Sequence, residues 1–110
     1  MPTQFKHTVN TSIGTTPVDV LQIPAGVRAT VIGCNLANVT DNETIYVNVF
    51  IIDEFSTQAH YIKELVIPPN SSVKLITNGE KLILPPNAGI RVVSDTTNSV
   101  DSVISYVEIS

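Results

Sequence analysis

The sequence predicts an all-β chain, a single antiparallel β-sandwich or jelly-roll-like domain of eight or nine short strands. Three observations carry that expectation. Forty of the 110 residues are Val, Ile or Thr, whose branched side chains suit a pleated sheet better than a helix turn. Apolar runs of strand length alternate with turn signals, and no helical period interrupts them. A length of 110 residues suits one core and is short for two, so one domain over residues 1–110 is expected.

In chain order the strand runs cover residues 5–9, 18–23, 27–39, 45–52, 61–67, 73–77, 82–84, 90–94 and 100–109. Ahead of the first turn cluster, residues 1–8 form a candidate N-terminal arm. The breaks have a chemical reason: proline fixes φ and lacks the donor a ladder needs, whereas Gly and Asn accept positive φ. One phrase recurs at three of them, as Pro24-Ala25-Gly26, Pro68-Pro69-Asn70 and Pro85-Pro86-Asn87. Every part of it has a turn role, so it reads as a corner and not as a ligand motif. Asn78-Gly79-Glu80 reads as a further turn, and Asp95-Thr96-Thr97-Asn98-Ser99 reads as a hairpin tip.

Two runs are apolar on both faces. In the run 45–52, Ile45, Val47, Val49 and Ile51 alternate with Tyr46, Phe50 and Ile52. In the run 27–36, Val27, Ala29 and Val31 oppose Ile32, Cys34 and Leu36. Either a second apolar face is covered by another chain, or a bulge shifts the phase within one buried strand. Only 15% of residues are charged, against about 25% in ordinary soluble domains, which favours a covered face.

Little here points to chemistry. The formal net charge is -4 and no Lys/Arg cluster occurs, so nucleic acid and anionic membranes are not expected partners. The single cysteine, Cys34, reads as a buried inert thiol. His7 and His60 have no ligand at metal spacing and read as exposed strand residues. The carboxylate pairs Asp41/Glu43 and Asp53/Glu54 fall at strand ends, and no loop supplies the patterned oxygens of a calcium site. No phosphate-cradling glycine loop, nucleophile elbow or zinc spacing is present. The expectation is a protein that is not an enzyme and holds no metal or cofactor. Asn10, Asn38, Asn42 and Asn70 head Asn-x-Ser/Thr matches, which carry no weight in so Asn- and Thr-rich a chain.

The stretch 17–32 with its Pro-Ala-Gly, then Asn35-Leu36-Ala37-Asn38, Ile67-Pro68-Pro69-Asn70-Ser71-Ser72, residues 84–93 and the ending Ser105-Tyr106-Val107-Glu108-Ile109-Ser110 resemble small structural proteins of tailed-bacteriophage virions. The likeness spans most of the chain, but it is a grammar of strands and turns. It implies a virion protein assembled in the host cytoplasm, and first of all a capsid decoration or cement protein. A tail, neck, baseplate or fibre role is the alternative within that class, and a carbohydrate-binding module is the alternative outside it. The implied partners are the major capsid protein or another virion protein, with further copies of the chain, a trimer by preference. The aromatic residues Phe5, Tyr46, Phe50, Phe55 and Tyr61 are the candidate interface residues, because aromatics are enriched in interface cores.

Overall fold

In a computed structural model that describes residues 3–76 and 81–109, nine strands form two antiparallel sheets packed face to face. They are β1 (Thr3–Ile13), β2 (Val18–Gln22), β3 (Arg28–Asn38), β4 (Ile45–Ile52), β5 (Gln58–Ile67), β6 (Ser72–Lys74), β7 (Leu82–Leu84), β8 (Gly89–Ser94) and β9 (Val100–Ile109). The expected Asn78-Gly79-Glu80 turn, the end of the sixth run at Thr77, and Met1, Pro2 and Ser110 lie outside the described residues. Sheet A has the order β1-β9-β3-β6, with β7 on the same edge of β3 as β6; sheet B has the order β2-β8-β4-β5. Because β6 and β7 lie end to end along β3, they share one strand position. The chain then pairs its first strand with its last, its second with its second-last, and so inward, which is the double Greek key of a jelly roll.

The core lies between the sheets and is built from the inward alternate residues of each. Val31, Leu36 and Ile104 of sheet A meet Ile45, Val47, Ile67 and Val92 of sheet B, all fully buried. The three proline corners behave as turns. Gly26, Asn70 and Asn87 all have positive φ (78, 56 and 68°). Val27 N–H donates to Pro24 O (3.3 Å) and Ala88 N–H to Pro85 O (3.2 Å), the closing bonds of turns whose third residue must be left-handed.

One of the two double-sided readings is corrected. On β3 the register against β9 slips between Val31 and Gly33. This bulge at Ile32 returns Cys34 and Leu36 to the same inward face as Ala29 and Val31, and only Ile32 is left outside. On β4 there is no such slip against β8 from Val47 to Ile52. Its inward face is Ile45, Val47, Val49 and Ile51, and its outward face is Tyr46, Asn48, Phe50 and Ile52.

Two further segments differ in form from their sequence reading. Residues 3–8 of the candidate arm are the first half of β1, in register with β9 from Thr3↔Ile109 onward. The segment 3–7 is exposed on both faces and pairs only with β9, because β2 is too short to cover it. Residues 95–99 are not a hairpin tip. They cross from β8 in sheet B to β9 in sheet A, and the corner is held by Ser94 Oγ against Ser99 Oγ (2.7 Å) and by Ser99 Oγ donating to Thr96 O (2.7 Å).

A buried amide ties the far corners together. Asn38, at the end of β3, is 2% exposed and uses its whole side chain. Its Nδ2 donates to Glu43 O (2.8 Å) and Ile67 O (2.9 Å), while its Oδ1 accepts from Thr40 N–H (2.9 Å) and from the Thr40 hydroxyl (2.7 Å). The loop between β3 and β4 and the end of β5 are thereby fixed to sheet A. So enclosed an amide is not free for glycosylation.

Candidate functional site

The interior offers no reactive centre among the described residues, where no three His, Cys, Asp or Glu side chains gather closely enough to hold a metal ion. Cys34 faces the core, and burial pushes its thiol up to about 11. His7 and His60 stand on opposite outer faces, and His60 packs on Phe50 with ring centroids 4.5 Å apart. Asp53, half of one carboxylate pair, is a turn residue: its Oδ1 accepts from Phe55 N–H (2.9 Å) and Thr57 N–H (2.8 Å).

The thiol makes a testable statement. In the unfolded chain it ionises near 9, but in the fold only near 11, so the unfolded state releases its proton first as pH rises. Stability from this group is complete below 9 and is lost between 9 and 11, by roughly 2–3 kcal/mol. Because Lys and Tyr titrate nearby, the comparison is with Cys34→Ala. The stability gap between the two proteins, measured by urea melts, is expected to shift by that amount across the window, and folded protein at pH 8 should resist thiol reagents.

What remains for function is the outside of the sheets. On sheet A the outward residues form rows across the strands. One row runs Ile83 (β7), Thr30 (β3), Val107 (β9), Phe5 (β1); another runs Lys74 (β6), Asn35 (β3), Val103 (β9), Val9 (β1). Phe5 is 80% and Ile83 72% exposed, and Val9 and Val103 are exposed too. Between these rows lie Gly33, Ser105 and His7, with the bulged Ile32 exposed beside them. The result is a strip of apolar side chains set among Thr30, Asn35, Ser105 and His7, with its charges, Arg28, Lys74 and Asp101, at the margins. On sheet B the outward set is mixed: Tyr46 (43% exposed), Val66, Phe50 and Ile52 share the face with an ion pair, Arg91 Nε to Asp19 Oδ1 at 2.6 Å.

The five aromatics named from sequence do not form one surface. Phe5 lies on sheet A's outer face, whereas Tyr46 and Phe50 share sheet B's. Phe55 is 80% exposed on the tip of the β4–β5 hairpin, held out by the Asp53 turn. Tyr61 stands at a bulge in β5, where the register slips between Val49 and Phe50, and lines a small apolar pocket with Cys34 and Leu75. Sequence reasoning missed Ile83, Val9 and Val103, because it ranked residues by aromaticity. The signal was present: in the run 100–109, Val103, Val107 and Ile109 recur at the strand period on the face opposite Ile104.

Gly89 is a second feature that sequence reasoning passed over. It sits between Gln22 of β2 and Ile52 of β4 in one cross-strand row, where a Cβ would overlap the Leu21 carbonyl oxygen. That oxygen belongs to the backbone and cannot swing away. Gly89→Ala is expected to destabilise the fold by about 2–3 kcal/mol through overpacking, read as a lower urea midpoint at unchanged m-value.

No family model matches the sequence, and no curated protein sequence matches it either. Solved structures share its fold. A chain of the acid-stable capsid of Helicobacter pylori bacteriophage KHP30 aligns with a TM-score of 0.58 at 15% identity, over 98% of this chain and 93% of that one. A subunit of the disulfide-linked pili that form Bacillus endospore appendages aligns with a TM-score of 0.56 at 10% identity, over 99% and 87%. At these identities the likeness is one of fold.

Proposed function

We propose that this chain is a non-enzymatic structural protein of a phage particle, a capsid decoration or cement protein that docks through the outer face of sheet A. The observation that carries the reading is the apolar strip of Phe5, Val9, Ile83 and Val103, which no part of the described chain covers. Exposed apolar side chains gathered on one sheet face mark a contact surface. A stable contact needs about 1,200–2,000 Å² of buried surface, and its apolar part contributes about 25 cal/mol per Å² before the costs of association. Many copies on neighbouring subunits turn a modest contact into a stiffened shell. The fold shared with a phage capsid chain supports the class, and the strand grammar quoted above supports it independently. The partner is the major capsid protein or another virion protein, met by a homo-oligomer, a trimer by preference. The first half of β1, which carries Phe5 beyond the cover of sheet B, is the segment that meets the lattice first.

Copy number per particle tests the assignment. Hundreds of copies per virion, by quantitative mass spectrometry of purified particles, are expected for a shell protein. A handful would move the chain to the tail, neck or baseplate, and none would remove it from the virion.

A further inference from the structure

The geometry points to a second site, a polar cleft on the outer face of sheet B that binds a neutral saccharide through its neighbouring hydroxyl groups. It lies on the opposite side of the sandwich from the strip on sheet A and depends on none of the contacts proposed there.

The cleft has a volume of about 360 Å³, within the range of about 300–1,000 Å³ usual for small-ligand sites. It lies over the cross-strand row of Gln22, Gly89 and Ile52. Its floor is fixed, since β2 presses its Leu21 carbonyl against that same glycine. The walls are held as well. Arg91 Nε donates to Asp19 Oδ1 (2.6 Å) and its Nη1 to Gln58 Oε1 (2.7 Å), while Gln22 Nε2 donates to Asp19 Oδ2 (3.1 Å). Asn87 enters from the Pro85-Pro86-Asn87 corner, and Ser56 from the hairpin that Asp53 braces. The polar groups are therefore set before a ligand arrives, which lowers the ordering cost of binding.

Their chemistry selects the class. A guanidinium has five N–H donors, and two of those of Arg91 are engaged by the bonds just named. Gln22, Gln58 and Asn87 each offer both a donor and an acceptor, and the Asp19 carboxylate accepts only. A ligand matching this mixture must itself both donate and accept at short spacing, as paired hydroxyls do. Charge argues the same way: Asp19 offsets Arg91, so neither an anion nor a cation meets an uncompensated opposite charge. Ile52 supplies apolar wall for the C–H face of a sugar ring. With no His, Cys or unpaired carboxylate along its lining, the cleft binds without reacting.

The test is an ¹⁵N-HSQC titration of the isolated protein with glucose, galactose, mannose, N-acetylglucosamine and their disaccharides. Inorganic phosphate and sialic acid form the anionic arm. The expected result is saturable shifts at Ser56, Gln58, Gly89 and Arg91 with at least one neutral sugar, in the millimolar range. Gln22→Ala and Gln58→Ala should each weaken it about tenfold, the worth of one hydrogen bond at about 1.4 kcal/mol, with the rest of the spectrum in place to show an intact fold. The proposal is overturned by the absence of saturation with every neutral sugar, by response to phosphate or sialic acid alone, or by saturable shifts that lie elsewhere or survive both substitutions unchanged.

Discussion

Asn38→Asp is expected to cost about 3–5 kcal/mol of folding stability at pH 7, the penalty of a buried charge left without its partners. The native amide donates to the carbonyls of Glu43 and Ile67. A carboxylate would aim an oxygen at those two acceptors in a site closed to water. For a domain of this size the loss corresponds to roughly 15–30 °C in Tm. Burial and the facing carbonyls both penalise the ionised form, so the folded-state pKa of the new Asp is raised above its unfolded value of about 3.9. A group with a raised pKa has its stability in place below the unfolded value and loses it as pH rises. The deficit of the variant should therefore shrink as pH falls toward 4 and widen again toward 7. Asn38→Ala, which cannot titrate, should show a deficit that does not change with pH. Urea melts of the three proteins at pH 4 and pH 7 check this. A variant within about 1 kcal/mol of the native protein at pH 7 would mean that water reaches the corner.

The largest effect on association is expected from Phe5→Glu combined with Ile83→Glu. Both side chains are mostly exposed, so the isolated fold should change by no more than about 0.5 kcal/mol for each. Both lie in one row across sheet A, at its two ends, so the proposed contact would carry a carboxylate at either edge. Burying them unpaired should weaken attachment to the particle by at least about 100-fold. Tyr46→Ser and Phe55→Ser, on sheet B's outer face and on the hairpin tip, serve as the contrast and should leave attachment within about threefold, inside the small effects usual for positions outside a contact centre. Pelleting of native and variant protein with particles that lack the chain reads out both. Loss with the second pair but not the first would move the contact to the other side of the sandwich.

Strand existence was legible because the period of two and the proline corners are local signals. The nine runs became nine strands, and Gly26, Asn70 and Asn87 took the left-handed φ that their place after proline implied. Strand phase was less legible. Ile32 sits in a bulge set by pairing with β9, some seventy residues away in the chain, and nothing local distinguishes that run from the double-sided β4. Strand length suffered likewise. The first run was expected to end at Val9, yet β1 continues to Ile13 because β9 supplies the partner, with Ser12 taking φ 56° at the irregularity. Asn38 went unnoticed as a structural residue because its four bonds join the loop that follows it, through Thr40 and Glu43, to Ile67 at the distant end of β5. The surface features depend on such pairings still more strongly. The strip on sheet A joins residues from opposite ends of the chain, and the cleft on sheet B lies over a row that brings Gln22, Gly89 and Ile52 together from three strands.

The most direct measurement is a density map, at side-chain resolution, of the particle that carries this chain. Phe5, Val9 and Ile83 are predicted to be packed against a neighbouring subunit, with the Gly89 cleft turned to the opposite side and open to solvent. A map in which those three side chains face water, while neighbours touch the chain only through sheet B or the hairpin tip, would contradict the assembly role assigned to sheet A.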